Sequence, residues 1–454
     1  MKKLLQKGFQ KAGIKSDRTK NITKHVIVSF IYKGGSILAS FLMVPLTINF
    51  LDTENYGIWL TLSSFIAWFS FFDIGLGNGL RNKFAEAKAK GDLTLAQGYV
   101  SSAYFTIGII CLLLMFAFIG LNFFIDWTSI FNTNVRLRKD LGILMPIVFS
   151  FFCLQLVVKL ITTIYTADQH HSMQGKINFF NSVAYLVALW LLTHTTKSSL
   201  MVYGVIFSAL PVLILLIVNL LAFSNRYKDF KPKLSLWKKE YLNDIFGLGV
   251  KFFIIQLSGI ILFSTDNFII TQLFGPKEVV PYNIAFKYLG ISSMLVSMLL
   301  APYWSTMTEA YVKKDFVWIK TSMKNLFKIS LSSILLICVM VIVSPFIYNL
   351  WIGNKVEIPL TLTIYMAIFF ALTILYAPFT YFINGTGKIT LQMYSVITTS
   401  IINIPLAVFL AKNLGLGVSG VIISTILCLI PHVILCPLQY LKIINNKANG
   451  IWNR

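Results

Sequence analysis

The chain has 454 residues, of which 56% are hydrophobic and 12% charged, and its mean hydropathy is +0.74. This composition excludes an ordinary soluble protein of the same length, and the long continuous apolar runs exclude a β-barrel, whose strands alternate in polarity. The formal charge of +22 would also suit a nucleic-acid-binding protein, but the positions of the basic residues indicate membrane topology instead. We therefore predict an all-α polytopic membrane protein that binds no nucleic acid.

The first predicted element is a basic segment, residues 1–24, which carries eight Lys or Arg residues. Leu4, Leu5 and Phe9 can share one face of a short helix, and such a segment tends to lie on an anionic inner leaflet. We predict a basic cytoplasmic amphipathic N-terminus that contacts anionic membrane lipids. Its role is either that of a topology anchor or that of a gate.

Apolar segments recur along the rest of the chain, and each is long enough to cross a bilayer as a helix. The predicted spans are 26–50, 56–80, 98–124, 141–165, 177–195, 199–223, 247–273, 279–305, 326–350, 359–384, 389–411 and 415–441. We therefore predict about twelve transmembrane helices in two six-helix bundles, residues 25–223 and 247–441, around a central cavity. Residues 224–246 carry apolar residues at helical spacing and predict a cytoplasmic amphipathic linker, and residues 442–454 a cytoplasmic tail.

The basic residues are distributed unevenly between the two sides of these spans. Of the 39 Lys and Arg residues, 27 lie in the loops and tails on the side of the N-terminus and seven in the loops on the other side. Because cytoplasmic loops carry an excess of Lys and Arg, both termini are expected to be cytoplasmic. We therefore expect a multi-pass membrane protein with both ends of the chain on the basic side.

Three lysines lie well inside predicted spans: Lys33, Lys159 and Lys287. Only two carboxylates share the membrane with them, Asp73 and Asp266. A charge at the bilayer centre costs roughly 2.5 to 3.5 kcal/mol on insertion scales, and two carboxylates cannot neutralise all of the lysines. We expect a water-filled cationic cavity for an anionic substrate. The alternative is that each lysine snorkels to the interface or binds a backbone carbonyl.

The stretch FFDIGLGNGLRNK, residues 71–83, has glycines spaced as in a phosphate-binding loop, but no predicted strand precedes it, so a nucleotide site is not indicated. The longer stretch ENYGIWLTLSSFIAWFSFFDIGLGNGLRNKFAEAKAKGD, from Glu54 to Asp92, resembles the signature of bacterial polysaccharide flippases. These are the Wzx-type O-antigen and capsule transporters of the multidrug/oligosaccharidyl-lipid/polysaccharide exporter superfamily.

This resemblance implies a two-bundle transporter that alternates between inward and outward openings. It implies a substrate in which an oligosaccharide unit is linked by pyrophosphate to undecaprenol, carried from the inner to the outer leaflet. It also implies a cationic cavity, for which the matching candidates are Lys33, Lys159 and Lys287, with Arg81 near the inner mouth. A pyrophosphate diester carries about two negative charges, which lysine ammonium groups bind with strong charge-assisted hydrogen bonds.

The membrane potential by itself favours the outward movement of an anion by roughly 2.3 kcal/mol per charge per 100 mV, so uniport is one of the mechanisms left open. Asp73 and Asp266 are the candidates for gating or for coupling to a proton or a sodium ion, and each is alternatively a structural partner of a nearby basic group. No other cofactor and no metal site are expected. The polymerase and ligase of the same pathway are the expected protein partners.

Other functions remain as alternatives. The protein could be a flippase for another lipid-linked glycan, such as the peptidoglycan precursor or a teichoic-type unit. A cation-coupled drug exporter would need an acidic cavity, whereas the predicted spans here are net basic. A membrane glycosyltransferase would need carboxylates on sizeable outside loops, and the largest such loop, about residues 125–140, is small. We therefore predict a transporter without catalytic residues, and not an enzyme.

Overall fold

The computed structural model describes residues 17–69, 74–168, 170, 172–246 and 264–454. Within these ranges the secondary structure is helical and no strand is found, which confirms the all-α prediction. Ten helices of the described ranges are long and apolar enough to cross a membrane, so the chain is a multi-pass membrane protein. Predicted spans 56–80 and 247–273 fall partly outside the described residues. Residues 1–16 and Asp73 lie wholly outside them.

The chain folds into two compact units. The first takes its described residues from Met1–Asp52, Phe72–Trp127 and Arg136–Val250. The second takes them from Thr53–Phe71, Thr128–Val135 and Lys251–Arg454. The α-helices, in chain order, are α1 (Asp17–Ala67), α2 (Ile74–Ala89), α3 (Leu93–Asn122), α4 (Trp127–Ile130), α5 (Arg138–Ala167), α6 (Ser172–Thr195), α7 (Leu200–Ser224), α8 (Lys239–Phe246), α9 (Asp266–Phe274), α10 (Val279–Val312), α11 (Phe316–Ile352), α12 (Leu360–Thr386), α13 (Thr390–Val408) and α14 (Gly417–Ile444).

Helix α1 is interrupted at Asp52, whose φ of 70° and ψ of 172° are not helical. The interruption falls between the predicted spans 26–50 and 56–80. The boundary between the two units lies at the same residue, since the first unit holds the chain up to Asp52 and the second begins at Thr53. Two helical segments therefore meet end to end at this kink.

In the first unit, α3, α5 and α7 are connected by polar groups as well as by apolar packing. The Asn219 amide on α7 donates to the Val158 carbonyl of α5 at 2.7 Å and accepts from the Tyr104 hydroxyl of α3 at 2.8 Å. Stacked rings of Phe118 and Phe149, 4.0 Å apart between centroids, fill the space between α3 and α5. Hydrogen bonds of this kind satisfy polar groups that hydrocarbon cannot solvate.

Residues 224–246 lie against α3 in the same unit. The linker contains two 3-10 turns, Lys228–Phe230 and Leu234–Leu236, before the short helix α8. The Trp237 indole donates to the Thr106 hydroxyl at 2.9 Å, and the backbone of Lys238 donates to the Ser102 hydroxyl at 3.1 Å. The linker is thus held to a membrane helix by specific side-chain contacts.

The second unit is built from α9 to α14 with the chain segments Thr53–Phe71 and Thr128–Val135. The loop segment is bound to α9, because the Asn132 amide donates to the Thr271 carbonyl at 3.1 Å and the Gln272 amide to the Ser129 carbonyl at 3.0 Å. At the other end of the chain, Lys442 lies 3.6 Å above the ring centroid of Trp452. The predicted tail 442–454 is therefore folded back onto α14.

Ion pairs and hydrogen bonds converge on Asp168, the C-cap residue of α5 in the first unit. Its carboxylate, only 12% exposed, accepts from Lys88 of α2, from Arg226 at 3.1 Å and from the Tyr227 hydroxyl at 3.0 Å. Burial raises the pKa of Asp168, but the hydrogen bonds from Lys88 and Tyr227 outweigh it, so the pKa lies below the usual value for aspartate. The network joins the ends of α2, α5 and α7.

We expect Asp168→Asn to lower the free energy of unfolding by about 2 kcal/mol, because hydrogen bonds to a charged group are lost. The carboxylate has a lowered folded-state pKa, so its contribution is complete above the unfolded pKa of about 3.9 and is lost as the pH falls through the folded value. Thermal unfolding of the detergent-solubilised protein at pH 7 and below pH 4 measures this. A variant as stable as the parent at pH 7 would contradict it; Asp140→Asn is the control.

Candidate functional site

The predicted site residues are divided between the two units. Lys33 on α1 and Arg81 on α2 have exposed side chains in the first unit, where Lys159 of α5 is half-buried. Lys287 on α10 and Asp266 on α9 belong to the second unit. Asp73 lies outside the described residues.

Lys33 lies on a different face of α1 from its neighbour Gly35. A Cβ atom on Gly35 would lie 2.5 Å from the ring of Phe179 on α6, so glycine is needed for close packing there. A Cβ atom on Gly34 would have no neighbour within 4 Å. None of the ion pairs within the described ranges involves Lys33. The Lys33 side chain is thus exposed, and its charge is uncompensated by this part of the chain.

The second unit contains a polar group of buried and half-buried residues that we name the Asp266 cluster: Ser64, Asp266, Asn267, Tyr282 and Asn283. The Tyr282 hydroxyl donates to Oδ2 of Asp266, which is 6% exposed. The Asn283 amide donates to Asn267 Oδ1 at 2.8 Å, and the Asn267 amide donates to the Ser64 hydroxyl at 2.8 Å. The cluster thus joins α1, α9 and α10 through side chains only.

Close backbone packing holds the α1 part of this arrangement in place. Gly57 lies against the carbonyl of Pro276, at the turn between α9 and α10, so closely that a Cβ atom would overlap it. One turn further along α1, the Thr61 and Thr271 hydroxyls are 2.6 Å apart. The glycine of the sequence NYGIW, residues 55–59, therefore allows the approach that brings Ser64 to Asn267.

A second polar group lies on α13 and α14 of the same unit, both of which contact α9. The Asn403 amide donates to the hydroxyls of Ser424 at 3.3 Å and Thr425 at 3.2 Å. This second polar group and the Asp266 cluster therefore lie on helices that contact one another.

Two oxygen acceptors in this region are buried without a hydrogen-bond partner among the residues that the structure describes: Oδ1 of Asp266 and Oδ1 of Asn403. A buried acceptor without a donor is costly in a low-dielectric interior. Carboxylate, amide and hydroxyl oxygens are ligands that hard cations accept. Across the described ranges no group of three His, Cys, Asp or Glu side chains could hold a metal ion.

Lys287 follows Asn283 by one helical turn on α10, so the two residues lie on the same face of that helix. Its side chain is half-buried and takes part in none of the ion pairs found within the described ranges. Sequence reasoning identified Lys287 and Asp266 but missed Asn403, Ser424 and Thr425. Polar residues inside apolar spans were the available signal, but nothing in the sequence pairs α13 and α14 with α9.

A family model described as polysaccharide biosynthesis protein matches residues 22–308, more than half of the chain. The chain belongs to the polysaccharide biosynthesis protein family. A second model, described as MatE, matches residues 252–409 of this family member. The resemblance seen in residues 54–92 is thereby confirmed.

Relatives with known names are similar in sequence to this family member. A Yersinia pseudotuberculosis protein named as an O-antigen export protein is 23% identical over 338 residues, which cover 72% of this chain and 73% of the relative. A Salmonella typhimurium protein named as an O-antigen transporter is 26% identical over 309 residues, which cover 65% of this chain and 68% of the relative. Both names describe transporters.

Solved structures share the fold. The inward-facing conformation of a multidrug resistance MATE family transporter of the MOP superfamily has a TM-score of 0.71 at 15% identity, over 92% of this chain and 95% of that chain. Its outward-facing conformation has a TM-score of 0.66 at 16% identity, over 95% and 97%. The family, the relatives and the fold confirm that the protein is a transporter and not an enzyme.

We expect Asn267→Leu to lower the free energy of unfolding by about 1 kcal/mol, because the hydrogen bonds of Asn267 to Ser64 and Asn283 are lost. The matched control is Asn178→Leu on α6, where the side chain is exposed. Thermal unfolding of both purified variants measures the difference. Equal unfolding temperatures would mean that the Asp266 cluster contributes nothing to the packing of α9.

Proposed function

We propose that the protein is a flippase for undecaprenyl-pyrophosphate-linked oligosaccharide repeat units, which it moves from the inner to the outer leaflet by alternating access. The product would supply O-antigen, capsule or exopolysaccharide synthesis. The observation that carries this proposal is the family match over residues 22–308. The names of the relatives and a fold shared with transporters in inward-facing and outward-facing conformations support it.

The proposed location is the bacterial cytoplasmic membrane, with both termini on the cytoplasmic side. The excess of Lys and Arg in the loops on the side of the N-terminus supports this orientation. The substrate would then enter from the side on which its lipid-linked unit is made. The polymerase and ligase of the pathway would act after it on the opposite side.

The pyrophosphate is proposed to bind Lys33, Lys159 and Lys287, with Arg81 contacting it near the inner mouth. Lys33 supports this role because its side chain is exposed and has no ion pair within the described ranges. An ammonium group donates strong hydrogen bonds to phosphate oxygens. The substrate would thus supply the negative charge that the described membrane segments lack.

Asp266 is proposed to bind the coupling ion, a proton or a sodium ion, together with the Asn403 side chain. The unpartnered oxygens of both residues and the hydroxyls of Ser424 and Thr425 support this assignment. Occupation by a cation would neutralise the carboxylate and give the orphan acceptors a partner. Asp73 stays a second candidate for coupling or gating.

We expect Lys33→Ala to reduce transport roughly tenfold or more, the effect of losing one charge-assisted hydrogen bond of about 1.5 to 3 kcal/mol. The measurement is flipping of a fluorescent undecaprenyl-pyrophosphate oligosaccharide in proteoliposomes. Lys159→Ala is tested in the same way, Lys33→Arg should retain most activity, and Lys197→Ala in an exposed loop is the control. Normal transport by both alanine variants would show that the lysines do not bind the pyrophosphate.

For coupling, we expect Asp266→Asn to abolish the dependence of transport on an imposed sodium or proton gradient. Flipping driven by the membrane potential alone should persist, because an anion moves outward by itself in an interior-negative potential. The same proteoliposomes are assayed with each gradient applied separately. A parent protein that is insensitive to both gradients would exclude coupling and leave uniport.

A further inference from the structure

A groove runs between α6 and α7 of the first unit, with a volume of about 740 Å³. Thirteen of its fourteen lining side chains are apolar, and the remaining one is Lys176. The lining extends from Met173 to Leu191 on α6 and from Leu210 to Leu221 on α7. At about 1.5 Å per residue these stretches are roughly 27 Å and 17 Å long, and the shorter corresponds to about half of a hydrocarbon core of about 30 Å.

The sequence of α6 explains why the two helices leave space between them. Ala184 and Ala188, one turn apart, present small side chains to the groove, and the larger Phe180 and Leu191 lie on either side of them. Phe180 and Leu191 are 57% and 47% exposed, so the groove is open along its length. On a membrane-spanning pair of helices such an opening faces lipid chains.

Lys176 lies at one end of the groove, in the second turn of α6, next to the last turn of α7 that carries Leu221. It takes part in none of the ion pairs within the described ranges, and the nearby carboxylate of Asp168 is already bound by Lys88 and Arg226. The N-terminal end of α6 adds a partial positive charge to this position. An apolar channel that ends in an uncompensated cation is complementary to a lipid with an anionic headgroup.

We propose that this groove binds an anionic glycerophospholipid, with one acyl chain between α6 and α7 and the phosphate on Lys176. The α7 stretch of the groove, roughly 17 Å long, matches one leaflet of the hydrocarbon core and so the length of one acyl chain, whereas the much longer undecaprenyl chain would extend beyond it. The site is independent of the proposed transport function.

The positions of the basic residues indicate on which side of the membrane Lys176 lies. The first turns of α6 and the end of α7 lie on the same side as the linker 224–246, which carries six Lys or Arg residues. This basic side is the cytoplasmic one in the proposed orientation, and anionic phospholipids concentrate in the cytoplasmic leaflet. The bound phospholipid therefore belongs to the inner leaflet.

Native mass spectrometry of the purified full chain tests the proposal, with phosphatidylglycerol and phosphatidylcholine of identical acyl chains as probes. We expect preferential binding of phosphatidylglycerol. Lys176→Gln should weaken it about tenfold, as the loss of one charge-assisted hydrogen bond predicts, while Lys176→Arg restores it. Ala184→Phe, which fills the groove, should weaken the binding of both lipids, and Lys197→Gln in an exposed loop should change neither.

Equal binding of the two lipids, or no effect of Lys176→Gln, would overturn the proposal. Displacement of phosphatidylglycerol by equimolar undecaprenyl phosphate would overturn it in favour of the prenyl lipid as the occupant. If deletion of residues 1–16 increased lipid binding, the N-terminal segment would be the occupant of the groove in the full chain, and the proposal would also be overturned. Thermal unfolding of each variant verifies that the protein remains folded.

Discussion

Hydrocarbon offers no hydrogen bonds, and this one constraint determines the arrangement of polar groups in both units. A backbone that crosses the bilayer must satisfy its own amides and carbonyls, so it forms helices. Polar side chains on those helices must then find partners on neighbouring helices or face an opening. The hydrogen bonds of Asn219 to α3 and α5, and those of Asn267 to α1 and α10, are both outcomes of this requirement.

Two polar residues of the second unit depart from this requirement. Asp266 and Asn403 each keep one buried acceptor oxygen without a partner among the described residues, although hydroxyls and amides surround them. An unsatisfied buried acceptor lowers the stability of the fold. An apolar side chain of the same size would therefore be more stable at each of these positions. The coupling cation proposed above would give these oxygens a partner and would link the second unit to the energetics of transport.

The basic residues illustrate how one residue type serves several purposes in the same chain. Lys88 and Arg226 are neutralised by Asp168 and join helix ends, as a structural ion pair does. Lys33 and Lys176 have no ion pair within the described ranges; Lys33 is exposed, and Lys176 lies at the end of the groove. An anionic substrate headgroup and an anionic phospholipid are the two partners whose charge suits these positions. The high net charge of the protein therefore combines topology, helix packing and ligand recognition.

Several features were determined by the sequence alone. Apolar runs of bilayer length predicted the helices, the short polar stretch around Asp52 predicted the break between the first two spans, and residues 54–92 predicted the family. These are local properties, because helix formation in a membrane depends on the hydropathy of consecutive residues. The tertiary structure alone decided that α9, which carries Asp266, contacts the helices of Asn403 and Ser424, that Gly57 packs against Pro276, and that Lys176 ends a groove between two helices. Such relations depend on which helix faces meet, and contacts between residues far apart in the chain leave no pattern in a single sequence.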